Sequence, residues 1–157
     1  MPFSGLRNRG SGKRRSDREC TGIPDWFDLS VAAAGFATAI GLDRERAFYP
    51  TVLIVIASYY VLFAVMGGSS RALLVEIIVA TGFLVFAVIG FKRSLWFAVA
   101  AIVGHGVFDF VHHWFVDNPG VPVWWPGFCL TFDVVLGVWL AVRLMRVPER
   151  PFKSQAG

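Results

Sequence analysis

Residues 95–116 read LWFAVAAIVGHGVFDFVHHWFV, an apolar stretch interrupted by four ionisable side chains. The stretch is long enough to cross about 30 Å of hydrocarbon as a helix rising about 1.5 Å per residue. On that helix His105, Asp109 and His112 recur at i, i+4 and i+7, so they share one face, and His113 lies at its edge. Because an ionisable group facing lipid costs about 2–3 kcal/mol or more, we expect this face to point into a helix bundle.

Four more apolar segments flank this stretch, at about residues 26–42, 49–66, 73–91 and 124–144. The last four of the five segments have the length of a membrane span, and the first is predicted to span or to re-enter. Helices are the expected form, because a helix satisfies its own backbone in lipid. We therefore predict an all-α polytopic transmembrane bundle over residues 23–146. Residues 1–22 are expected to be a disordered basic tail of the cytoplasmic type, and residues 147–157 a C-terminal tail.

The composition of the 157 residues supports a membrane protein. Hydrophobic residues make up 55% of the chain and charged residues 17%, and the mean hydropathy is +0.58. Soluble domains average about 25% charged residues. The net charge of +4 comes from the two tails rather than from a folded face, which argues against a nucleic-acid partner. Two cysteines, Cys20 and Cys129, are too few for a disulfide scaffold.

The Lys and Arg residues predict an orientation for the last four segments. Two lie in the loop at 43–46, two at 92–93 and four after residue 142, whereas the turn at 67–71 has one and the loop at 116–124 none. The positive-inside rule then places the C-terminus in the cytoplasm. The basic N-terminal tail obeys the rule only if the first segment does not cross. In this orientation Glu76, Tyr60 and Asp133 fall in the same outer half as His112, which predicts a polar cavity open to the outer face.

The pattern His105-x3-Asp109-x2-His112-His113, followed by Asn118-Pro119, Pro126, Cys129-x3-Asp133 and Trp139, resembles a family of small bacterial integral membrane proteins, domain of unknown function 6010. Its members carry a WDxxHH segment, an Asn-Pro loop and a Cys–Asp segment. This chain has Phe108 where Trp is usual, and aromatic residues where a Ser pair precedes the Cys. The resemblance implies a multi-pass protein of the bacterial inner membrane and no particular reaction.

The leading hypothesis from these residues is a metal site. Imidazole and carboxylate groups are common ligands of Zn and Fe. Asp133 from the fifth segment would complete a shell with three residues of the fourth, and the candidate ligands are His105, Asp109, His112 and Asp133, with His113, Glu76 and Cys129 as further candidates. A water molecule at an open position would become a nucleophile, as in a metal-dependent membrane enzyme.

Two alternatives remain open at this point. One is a structural subunit in which Asp109 and Asp133 pair with histidines, which contributes about 1 kcal/mol per pair. The other is a small proton or cation transporter, in which His and carboxylate groups relay charge. Five helices make a narrow pore, so transport would favour a homo-oligomer. The lipid bilayer is the expected partner in every case, and the sequence does not decide whether the protein is an enzyme.

Overall fold

The computed structural model describes residues 25–147 of the chain. These residues form five α-helices joined by short connections, with one 3-10 turn at Leu42–Arg44 after the first helix. The helices are α1 Asp25–Ala39, α2 Phe48–Met66, α3 Ser70–Lys92, α4 Leu95–Phe115 and α5 Trp125–Arg146. The predicted tails, residues 1–22 and all but the first residue of 147–157, lie outside the described residues.

Helices α2 to α5 are each long and apolar enough to cross a membrane. The predicted all-α polytopic fold is therefore confirmed, and the chain is a multi-pass membrane protein. Helix α1 has 15 residues and is shorter than these four. It runs parallel to α5, as two contacts show. At the start of both helices, Trp26 stacks on Trp124 with ring centroids 5.7 Å apart, and further along both, the indole of Trp139 donates to Thr38 at 3.1 Å.

Capping residues and a glycine turn explain where two of the helices begin. The Ser69 hydroxyl accepts a hydrogen bond from the Ala72 amide at the start of α3, and the Ser94 hydroxyl accepts one from the Trp96 amide at the start of α4. Such caps satisfy amides that have no partner within the helix. Gly68 adopts a φ of 68° between α2 and α3, a conformation that favours glycine. These tight turns make consecutive long helices antiparallel.

Glycines bring α4 and α5 into close contact at the centre of the bundle. A Cβ atom on Gly106 would lie 2.9 Å from the Cβ of Asp133, and one on Gly137 would lie 2.5 Å from a methyl carbon of Val103. A Cβ on Gly104, by contrast, would meet no atom within 4 Å. Gly106 therefore sets the distance between the polar faces of the two helices.

The two ends of the bundle differ in chemistry. At one end, which we call the Arg143 end, the Arg143 side chain donates to the Asp43 carbonyl oxygen and lies 3.5 Å from its carboxylate, to which Thr38 also donates at 3.2 Å. This network ties the 3-10 turn to α1 and α5. The other end, the Asn118 end, is formed by the α2–α3 turn, the α4–α5 loop and the start of α1.

Candidate functional site

The polar face of α4 meets α5 at a buried group of three residues. The His105 Nδ1 atom lies 2.8 Å from Asp133 Oδ2 and 3.4 Å from Asp109 Oδ2. One ligand atom from each of the three residues lies within 4.8 Å of the other two. All three residues are at most 1% exposed. Because a transition metal is bound by such N and O atoms at about 2.0–2.2 Å, small side-chain movements would let all three reach one ion.

A second polar group lies nearer the Asn118 end. The Nε2 atom of His112 lies 2.7 Å from Glu76 Oε1, so one hydrogen bond joins α4 to α3. The amide of Asn118, in the α4–α5 loop, donates to the same Glu76 oxygen at 3.0 Å and to the Tyr60 carbonyl at 3.2 Å. His112 and Glu76 are buried at 2% and 1% exposure. Helices α2, α3 and α4 are therefore tied together through one loop residue.

Tyr60 of α2 lies between the two groups. Its ring centroid is 4.4 Å from that of His112 and 6.2 Å from that of His105. Its hydroxyl and the Cys129 thiol lie beside the Asp109 carboxylate. The polar side chains of α3, α4 and α5 thus form one continuous buried column with Tyr60 against its side.

Several buried oxygens in this column lack a hydrogen-bond partner among the described residues. They include both carboxylate oxygens of Asp109, one each of Asp133 and Glu76, and the Tyr60 hydroxyl. Buried polar atoms without partners are rare in proteins, because each costs about 1–3 kcal/mol. Asp109 is the most affected, since the one N–H that His105 offers at Nδ1 is directed to Asp133 at the shorter distance. The column therefore has unused capacity to coordinate a cation.

The column is closed toward both ends of the bundle. At the Asn118 end, Asn118 itself is 8% exposed, and Gly120 packs so tightly against the Phe63 carbonyl that no Cβ would fit. Toward the Arg143 end, the next layer is apolar and includes Ile102 and Leu140, both 0% exposed. The polar column thus occupies only the half of the bundle nearer the Asn118 end. The sequence predicts a cavity open on that side, whereas these side chains are buried beneath the loop.

The candidate ligands predicted from sequence separate into three sets. The structure brings His105, Asp109 and Asp133 together, with Cys129 beside them at 1% exposure. His112 is hydrogen-bonded to Glu76 instead and does not join this group. His113 is exposed and contacts the ring of Trp114 at 5.1 Å, away from the column.

Asn118 was not among the predicted site residues, because the sequence marks it only as part of the Asn118-Pro119 loop. The residue does act locally, because its side-chain oxygen accepts from the Gly120 amide at 3.2 Å. Its amide group, however, bonds to residues 42 and 58 positions earlier in the chain. An Asn next to Pro and Gly indicates a turn whatever else its side chain contacts, so no local signal distinguished the second role.

No family model, no curated protein and no solved structure matches this chain. The site must therefore be interpreted from its own geometry.

Proposed function

We propose that this protein binds a divalent transition metal ion, Zn or Fe, inside the membrane at His105, Asp109 and Asp133. The observation that carries the proposal is the cluster itself, in which one ligand atom from each of three buried residues lies within 4.8 Å of the other two. Two ionised carboxylates buried side by side without a cation cost several kcal/mol. A divalent ion would neutralise Asp109 and Asp133 together and leave His105 as a neutral ligand.

Charge balance in the column is met by the proposed ion, as it also is by a single proton on Asp109. Glu76, Asp109 and Asp133 offer three negative charges, while His105 and His112 supply at most two positive charges. A divalent ion at the first group balances the two aspartates, and a proton shared by Glu76 and His112 then balances the rest. The low dielectric of the membrane interior penalises any residual charge.

The three side chains come from two helices and leave part of a coordination shell free. Metal sites with three protein ligands and an open position are typical of catalytic rather than structural centres. On this basis we propose a metal-dependent membrane enzyme, in which Tyr60 and the Glu76–His112 pair lie close enough to hold or exchange protons next to the ion. We also propose membership of the bacterial family named above, on the sequence pattern that begins at His105, and a cytoplasmic C-terminus, on the distribution of Lys and Arg.

Transport receives less support from the geometry. A relay across the membrane needs polar groups along its whole length. In the described residues, the polar column ends at His105 and Asp133, beyond which tightly packed apolar side chains fill the bundle. A purely structural network is the competing interpretation, in which the Tyr60 hydroxyl and the Cys129 thiol beside Asp109 would donate to its carboxylate.

Elemental analysis of detergent-purified protein tests the proposal. We expect one Zn or Fe ion per chain, lost in Asp109→Asn and in His105→Ala. The matched controls are Asp117→Asn and His113→Ala, which change the same residue types at exposed positions of the same region. Metal-free wild-type protein that also fails to take up Zn²⁺ or Fe²⁺ would overturn the proposal, as would metal content that is equal in all five proteins.

A further inference from the structure

The contact between α3 and α4 changes along its length. Near the Arg143 end the two backbones touch, because a Cβ on Gly90 would lie 3.0 Å from the Ala98 amide nitrogen. In the half that holds the polar column, large side chains separate the helices instead. There the contacts are the hydrogen bond between Glu76 and His112 and a ring contact between Phe83 and Phe108, whose centroids are 6.2 Å apart. The helices therefore diverge toward the Asn118 end.

Two phenylalanine rings fill the gap that this divergence leaves. The ring of Phe83 lies 4.8 Å from that of His105, and the ring of Phe108 lies 5.6 Å from that of His112. Both phenylalanines are only partly buried, whereas the two histidines are 1% and 2% exposed. One layer of aromatic side chains thus lies between the site and the lipid-facing surface of α3 and α4. We call this region, Phe83 with Phe108, the aromatic seam.

The two ends of the bundle are more firmly closed than this seam. Toward the Asn118 end the path is blocked by Asn118, which makes three hydrogen bonds, and by the Gly120 backbone packed against α2. Toward the Arg143 end it is blocked by fully buried aliphatic side chains. An aromatic ring held by packing alone moves more readily than a loop held by several hydrogen bonds and a close backbone contact.

We propose that the substrate of the site is a lipophilic molecule dissolved in the bilayer, which enters between α3 and α4 by displacing the aromatic seam. This inference rests on the proposed function, since it concerns the same buried centre. It identifies the substrate as a molecule with a hydrocarbon portion, because the way in crosses hydrocarbon rather than water. A polar headgroup or an aqueous solute would have to desolvate in the membrane to follow it.

Cys129 offers a test that does not depend on bound metal. This thiol is 1% exposed and lies on α5, beside Asp109. In Cys20→Ser protein in liposomes, its alkylation by a bilayer-dissolved long-chain N-alkylmaleimide measures access through lipid. Its reaction with a charged methanethiosulfonate added to the water measures access through the Asn118 end. Full labelling after denaturation normalises both rates.

We expect Phe83→Ala and Phe108→Ala to raise the rate with the alkylmaleimide about tenfold, by loosening a local packing barrier, and to leave the rate with the charged reagent unchanged. Phe108→Trp should lower the alkylmaleimide rate, which separates a gating effect from loss of folding. Phe86→Ala and Phe110→Ala are the matched controls, because each removes a lipid-exposed phenylalanine from the same helix.

Equal alkylmaleimide rates in the seam and control variants would overturn the inference. So would a seam variant that opens the site to the charged reagent only, since the route would then be aqueous. If the purified protein binds no metal but the seam variants behave as expected, the metal proposal fails and the lipid route stands. If the protein binds metal but the seam and control variants react at equal rates, the metal proposal stands and the lipid route fails.

Discussion

Gly106→Ala should disrupt the site from the packing side, without removing any polar group. The new methyl carbon would lie 2.9 Å from the Asp133 Cβ and 3.4 Å from both the Cα and the carbonyl oxygen of Leu130. The contact at 2.9 Å is too short for two carbon atoms, and the Asp133 Cβ is fixed to the backbone of α5, so rotation of a side chain cannot relieve it. Helix α5 must therefore shift away from α4, and the distance from His105 to Asp133, now 2.8 Å, must increase.

The size of the effect follows from a comparison with Gly104→Ala on the same helix. Both substitutions gain the same helix propensity, about 1 kcal/mol at most. At Gly104 a Cβ meets no atom within 4 Å, so this variant should be as stable as the wild type or more so. At Gly106 overpacking costs about 1–3 kcal/mol. The gain in helix propensity is the same in both variants, so it does not affect the difference in stability between them. Gly106→Ala should thus be about 1–3 kcal/mol less stable than Gly104→Ala.

The assay is reversible unfolding in mixed micelles, with SDS as denaturant and tryptophan fluorescence as the signal. Metal content of the folded fraction is measured in parallel, and it should fall in Gly106→Ala but not in Gly104→Ala. Equal stabilities of the two alanine variants would refute the close approach of α4 and α5 at Gly106. Lower stability with undiminished metal content would show that the α4–α5 distance does not control the site.

Two further predictions concern the ends of the bundle. Asn118→Ala removes the donor that joins the loop to α2 and α3, and it should lower the free energy of unfolding by about 1–3 kcal/mol. The control, Asp117→Ala at the exposed neighbouring position, should change that free energy little. Similar values for the two variants would show that the loop contact is unimportant. Arg143→Ala leaves the buried carboxylate of Asp43 without its cation and should cost about 1–2 kcal/mol, since Arg143 is 26% exposed. Arg146→Ala, an exposed arginine one turn further on, is its control, and equal losses would contradict the assigned pair.

Most of the fold follows from hydropathy, because lipid demands long apolar segments that form helices. The predicted segment at residues 95–116 differs from α4 by one residue, and that at 73–91 lies within α3, which begins three residues earlier and ends one residue later. The first segment was harder to assign. Its helix is too short for a span by length alone, and its parallel contact with α5 depends on aromatic pairs such as Trp26 with Trp124, which no local pattern reveals.

The site was predictable in part for a similar reason. Helical periodicity places His105, Asp109 and His112 on one face whatever surrounds them. It does not say which neighbouring helix each one meets. Asp133 was found because it falls in the same outer half of the membrane as His112, but which histidine pairs with Asp133 and which with Glu76 depends on where α3 diverges from α4.

X-ray absorption at the edge of the co-purifying metal tests the central claim most directly. The account predicts N and O ligands at about 2.0–2.2 Å, with the multiple-scattering signature of an imidazole that disappears in His105→Gln and persists in His113→Ala. A spectrum without any imidazole contribution, or one that is unchanged in His105→Gln, would contradict a metal centre at the buried histidine and aspartates.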